Sequence, residues 1–102
     1  MQPFISAQRE TIAELCRNHH VLRLSVFGSA ARDDFDPSRS DVDIIVDFAR
    51  MPAAEYARNK RSFQQELSRA LSRHVDLLTW ESIRNPYLLK AIQLSNETLY
   101  AA

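Results

Sequence analysis

The run Asp41-Val42-Asp43-Ile44-Ile45-Val46 constrains this chain more than any other segment. Three consecutive β-branched residues with no polar interruption read as a strand buried on both faces. Such a strand belongs in the interior of a sheet that is covered on each side. Residues 42–48 are therefore expected to form a central strand. Two further runs have strand character, Val-Leu-Arg-Leu-Ser-Val-Phe at 21–27 and the stretch 75–80 that starts Val75-Asp76-Leu77-Leu78.

Helical periodicity fills the intervals. Over 5–19, Ile5, Ile12, Leu15 and Cys16 share one face, with Ser6 as the expected N-cap. Over 53–72, Tyr56, Phe63, Leu67 and Leu71 make an apolar stripe, and Arg58, Lys60, Arg61 and Arg69 lie on the solvated side. Asn85-Pro86 has the cap and first-turn chemistry of a last helix ending near Ser95. The order α-β-α-β-α-β-α predicts an α/β (α+β) fold, a small mixed β-sheet covered by helices.

A chain of 102 residues is expected to be a single domain over 1–102. One modest core is all it can bury, so any site should be shallow and open on one side. Thirteen basic residues balance thirteen acidic ones, which argues against bulk nucleic-acid binding, since that rests on a cationic excess. The one cysteine, Cys16, excludes an internal disulfide and reads as a small buried hydrophobe in a reducing compartment. No apolar run is long enough to span a membrane, and Met1-Gln2-Pro3-Phe4 lacks a secretory signal, so the expected location is the cytoplasm.

Three features carry chemistry. The only glycine, Gly28, stands where the strand 21–27 ends, and Ser29 opens a helical turn whose free N–H groups favour a phosphate. The ordinary reading of Gly-Ser is a capped turn. Asp41 and Asp43, two residues apart in a strand, project to one side about 7 Å apart. Two carboxylates beside apolar surface are unfavourable unless solvated at the strand end or neutralised by a divalent cation, and hard oxygen donors suit Mg²⁺ or Mn²⁺. Asp76 interrupts an apolar strand that a neighbouring position would bring to the same cluster. Together they describe phosphoryl or nucleotidyl transfer, in which two cations about 4 Å apart assist an in-line displacement.

Gly28-Ser29-Ala30-Ala31-Arg32, an acidic loop and Ser40-Asp41-Val42-Asp43-Ile44-Ile45-Val46 closely resemble the minimal nucleotidyltransferases (MNT domains) of the DNA polymerase beta-like superfamily. The likeness covers essentially the whole chain. The loop is one residue longer than in many members, and Asp33 stands where glycine is usual. The resemblance implies the nucleotidyltransferase fold, with Gly28 and Ser29 as the phosphate-binding turn and Arg32 as a phosphate contact or a partner for a loop aspartate. It implies Asp41, Asp43 and Asp76 as both catalytic and metal-binding residues, Asp76 serving as base, and Ser40 as a turn cap. It also implies Mg²⁺, ATP as co-substrate, and a HEPN-domain toxin as partner in a hetero-oligomer or alongside a homo-oligomer. Many short members are antitoxins of such toxins, and the active ones transfer AMP from ATP to a tyrosine of the toxin.

Two alternatives stand beside that reading, a non-catalytic antitoxin with a vestigial metal site and a subunit of a small-molecule (antibiotic-type) nucleotidyltransferase. Asp34, Asp36 and Ser38 alternate like a calcium loop, but Arg39 and Ile45 occupy the positions that need glycine and glutamate. His19, His20 and His74 lack metal-ligand spacing and are expected to be surface or structural.

Overall fold

The computed structural model describes residues 1–31 and 41–102, with the backbone alone at 29 and 30. Helices α1 (Pro3–Ser6) and α2 (Arg9–Asn18) lead into β1 (Val21–Phe27), which ends in a 3-10 turn, Gly28–Ala31. Strand β2 (Val42–Phe48), helix α3 (Ala53–Leu71) and strand β3 (Val75–Thr79) follow. A 3-10 turn (Trp80–Ser82), helix α4 (Pro86–Ser95) and strand β4 (Glu97–Ala101) complete the chain.

The sheet order is β3-β2-β1-β4, with β2 in the interior as its apolar run demands. Strands β2 and β3 are parallel and joined through α3, whereas β1 is antiparallel to both β2 and β4. The mixed sheet under helices is the expected architecture.

Alternation along β2 divides its side chains between two cores. Val42, Ile44, Val46 and Phe48 join Ile5, Ile12, Cys16, Phe63 and Leu67 in the larger cluster under α1–α3. Ile45 faces the other way and packs with Phe27 and Ile92 beneath α4. Ile44, Ile45 and Val46 are all buried, the doubly covered strand expected of that run. Phe63, Leu67 and Leu71 are the buried stripe of α3, and Tyr56 packs at its margin.

Three elements depart from expectation. The helix over 5–19 is broken at residues 7–8, and Ser6 does not cap it. Its hydroxyl instead donates back to the carbonyls of Pro3 and Gln2, while Gln8 stands at the N-cap of α2 without a side-chain bond. The chain ends in a strand, β4, which no apolar pattern announced. The strand beginning at Val75 ends at Thr79, and Trp80 starts the following turn.

Helix ends show the reach of local chemistry. Ser72 adopts the left-handed conformation (φ 53°) just past α3, and the Arg73 amide returns to the Ser68 carbonyl, satisfying end groups of the helix. Asn85 Oδ1 accepts from the amides of Tyr87 (2.9 Å) and Leu88 (3.4 Å). Asn85→Ala is expected to cost about 1 kcal/mol, or roughly 4–8 °C in Tm for a domain of this size, measured by thermal denaturation.

Cys16 is fully buried, and burial pushes its thiol pKa up to about 12. The native thiol is thus protonated at neutral pH. A thiol reagent at pH 8 is expected to leave the folded chain unlabelled over hours and to label one cysteine completely once denaturant is added. His19 is buried, with Nδ1 against the Leu15 carbonyl at 2.8 Å and Nε2 within 3.2 Å of both Ser62 Oγ and Glu66 Oε2, so it ties α2 to α3 and is structural.

Candidate functional site

Antiparallel pairing sets the end of β1 beside the start of β2, with Phe27 opposite Asp43. The next residue, Gly28, has φ +67°, a conformation that a side chain disfavours. A Cβ built on Gly28 would lie 2.6 Å from Asp43 Oδ2 and 3.4 Å from Asp43 Cγ. The carboxylate of Asp43 therefore rests in the space that the missing side chain leaves. Two constraints, one of backbone and one of space, require glycine at the same position.

Parallel pairing sets Asp76 of β3 directly opposite Asp43 of β2. Neighbouring strands run about 4.8 Å apart, and residues in register project to the same side of the sheet. Both carboxylates thus stand on the α4 side, at the end of the sheet where β2 and β3 begin. Asp76 is exposed and Asp43 half-buried. Asp41, exposed, immediately precedes β2, whose first amide is anchored to the His74 carbonyl at 3.1 Å.

The structure brings Gly28, Asp43 and Asp76 together, with Asp41 two residues from Asp43. No described lysine or arginine forms a salt bridge with Asp41 or Asp76. Among the described residues no three His, Cys, Asp or Glu side chains are gathered around one point. The donors nevertheless fit a divalent cation in kind, being carboxylates on adjacent strands, one of them seated in a cradle that a Cβ would fill. Arg32, Ser40, the loop containing Asp33, Asp34, Asp36 and Ser38, and the Ser29 side chain lie outside the described residues. The backbone of Ser29 belongs to the 3-10 turn that Gly28 opens.

A separate cleft of about 400 Å³ opens at the opposite end of the sheet, lined by Asp47, Phe48, Ala49, Arg50, Met51, Tyr56, Thr79 and Glu81. Burial, with the Glu81 carboxylate nearby, raises the Tyr56 phenol above its usual pKa despite a hydrogen bond to Thr79, so it stays protonated at neutral pH. These residues come from the end of β2 and the segment after it, the first turn of α3, the end of β3 and the turn that follows. No spacing in the sequence joins them, and none of them reaches Gly28.

Several known proteins resemble this chain in sequence and fold. A family model described as nucleotidyltransferase domain matches residues 8–100. A protein of Methanocaldococcus jannaschii that carries the provisional name protein adenylyltransferase is 36% identical over 81 residues, covering 78% of this chain and 76% of its own. A structure provisionally named a minimal nucleotidyltransferase superposes with TM-score 0.74 at 26% identity, over 89% of this chain and 88% of the other. A chain from the complex of a tri-AMPylated HEPN toxin with an MNT antitoxin of Shewanella oneidensis shares the fold at TM-score 0.64 and 21% identity, over 96% of this chain and 73% of its own. Among the described residues no helix is long and apolar enough to cross a membrane.

Proposed function

We propose, from the premise that this chain belongs to the nucleotidyltransferase domain family, that it transfers AMP from ATP to a hydroxyl of a protein acceptor. The acceptor in this reading is a HEPN-domain toxin, and the chain acts as its antitoxin. The observation that carries the proposal is the register of Asp43 with Asp76, beside a glycine whose missing side chain makes room for Asp43.

In this reading the turn beginning at Gly28 and Ser29 receives the triphosphate, its free amides facing the phosphate oxygens. Asp41, Asp43 and Asp76 would hold Mg²⁺, which when bound neutralises phosphate charge and favours departure of pyrophosphate. Asp76, exposed on the outer strand β3, accepts the proton of the acceptor hydroxyl. The hydroxyl oxygen forms a bond to the α-phosphorus, the bond from that phosphorus to the bridging oxygen breaks, and pyrophosphate leaves. The shallow placement suits a macromolecular acceptor, because a flat rim admits a protein loop where a deep pocket would exclude it.

The test incubates the chain with α-labelled ATP, Mg²⁺ and the HEPN-domain protein from the same genome. Label on that protein, lost with the double substitution Asp41→Asn, Asp43→Asn, is the expected result. Neutralisation of the HEPN protein by the double variant at equal dose, with no label from either chain, would leave binding as the activity and overturn the transferase reading. Label on an aminoglycoside instead of the protein would assign the acceptor to a small molecule.

A further inference from the structure

Helix α4 presents an apolar stripe to solvent. Tyr87 is 84% exposed and Leu94 79% exposed, with Leu88 at 42%. Tyr87, Ala91 and Leu94 recur at i, i+4 and i+7 on one face, turned away from Ile92, the helix's buried contact. The stripe stays largely uncovered, and exposed apolar patches rimmed by polar groups mark interaction sites.

Charge and position narrow the occupant. Between Glu81 and Glu97 the chain carries no acidic residue, while Arg84 and Lys90, both exposed, flank the stripe. Two copies of this helix packed together would bring those cations into one interface, which disfavours a second copy of the chain. The complementary partner is a protein segment with an apolar ridge and acidic flanks. Ile92 packs against Phe27, the residue before Gly28, and α4 touches the turn that Gly28 opens. A partner on the outer face of α4 therefore overhangs the carboxylate end of the sheet.

We infer that the Tyr87–Ala91–Leu94 face of α4, with Arg84 and Lys90, is the docking surface for the acceptor protein, and that it engages an acidic-flanked amphipathic helix of that protein. The inference rests on the transferase reading for the identity of the acceptor. Docking there presents the acceptor hydroxyl to Asp76, so this face sets which protein is modified.

The test uses the full chain and the HEPN-domain protein from the same genome. Two variants are compared with the parent, Tyr87→Ser with Leu94→Ser, and Arg84→Glu with Lys90→Glu. All four side chains are exposed, so both variants retain the fold, checked by circular dichroism. Binding measured by calorimetry is expected to weaken about thirtyfold for the first pair, as for loss of exposed aromatic anchors. The second pair is expected to weaken binding about tenfold, with the loss shrinking in high salt. Label transfer should fall in proportion at low acceptor concentration and recover at saturation.

Unchanged affinity in both variants, or no complex with the parent chain, overturns the docking surface. So does light scattering that finds the parent a dimer and the first variant a monomer, which would assign the stripe to a second copy. Binding that depends on α4 without any label transfer keeps the docking surface while the transferase reading fails. Transfer indifferent to both variants does the reverse.

Discussion

Asp43→Asn is expected to lower nucleotidyl transfer by roughly a thousandfold, equivalent to about 4 kcal/mol of transition-state stabilisation. The substitution preserves size and removes one negative charge from the innermost of the three carboxylates. Asp43 is in contact range of Gly28 and in register with Asp76, so it links the proposed phosphate turn to the proposed base. Its amide replacement still fits above Gly28, and the far-ultraviolet spectrum should remain that of the parent. Steady-state rates of label transfer check the magnitude. A loss below tenfold would mean that Asp43 is not among the groups that hold the reacting phosphate.

Gly28→Ala is expected to separate stability from activity. Alanine at φ +67° costs about 1–2 kcal/mol, a shift that thermal denaturation reads directly. The added Cβ would lie 2.6 Å from Asp43 Oδ2, too close for both to stay. The carboxylate is the end of a movable side chain, so it yields where the backbone would not. The chain therefore folds with Asp43 displaced by the order of an ångström, and transfer falls by about a hundredfold. Near-normal transfer at reduced Tm would show that the position of Asp43 does not matter to the chemistry. The largest effect would then belong to the backbone alone.

Much of this architecture is legible residue by residue. The run Ile44-Ile45-Val46 demands cover on both faces and so fixes β2 as an interior strand. Asn85-Pro86 marks the start of α4 because cap and first-turn chemistry are local. Strand β4 was not legible, since Glu97–Ala101 buries only Leu99 and pairs along one edge. Such a strand is held by long-range pairing with β1 and needs no apolar pattern of its own. The break between α1 and α2 has no local signal either. No proline or glycine marks residues 7–8, and the Ser6 hydroxyl, a plausible cap by type, bonds backward to preceding carbonyls.

The site divides in the same way. Spacing alone sets Asp41 and Asp43 two residues apart, and composition draws attention to the only glycine. The register that sets Asp76 opposite Asp43 depends on the crossover through α3, which no local pattern specifies. The seating of Asp43 over Gly28 likewise depends on how β1 and β2 pair. The exposed face of α4 reads in sequence as an ordinary apolar helix, and only the placement of Ile92 beneath it shows which side is left to solvent.

The most direct test of the central claim needs no acceptor. Substoichiometric Mn²⁺ added to the isotope-labelled chain broadens amide resonances near the bound ion. Selective broadening at Asp43, Asp76 and the turn from Gly28, reversed by excess Mg²⁺ and enhanced by ATP, is the expected result. Broadening centred on Asp47 and Glu81 at the opposite end of the sheet, or none above that of the Asp41→Asn, Asp43→Asn variant, would contradict it.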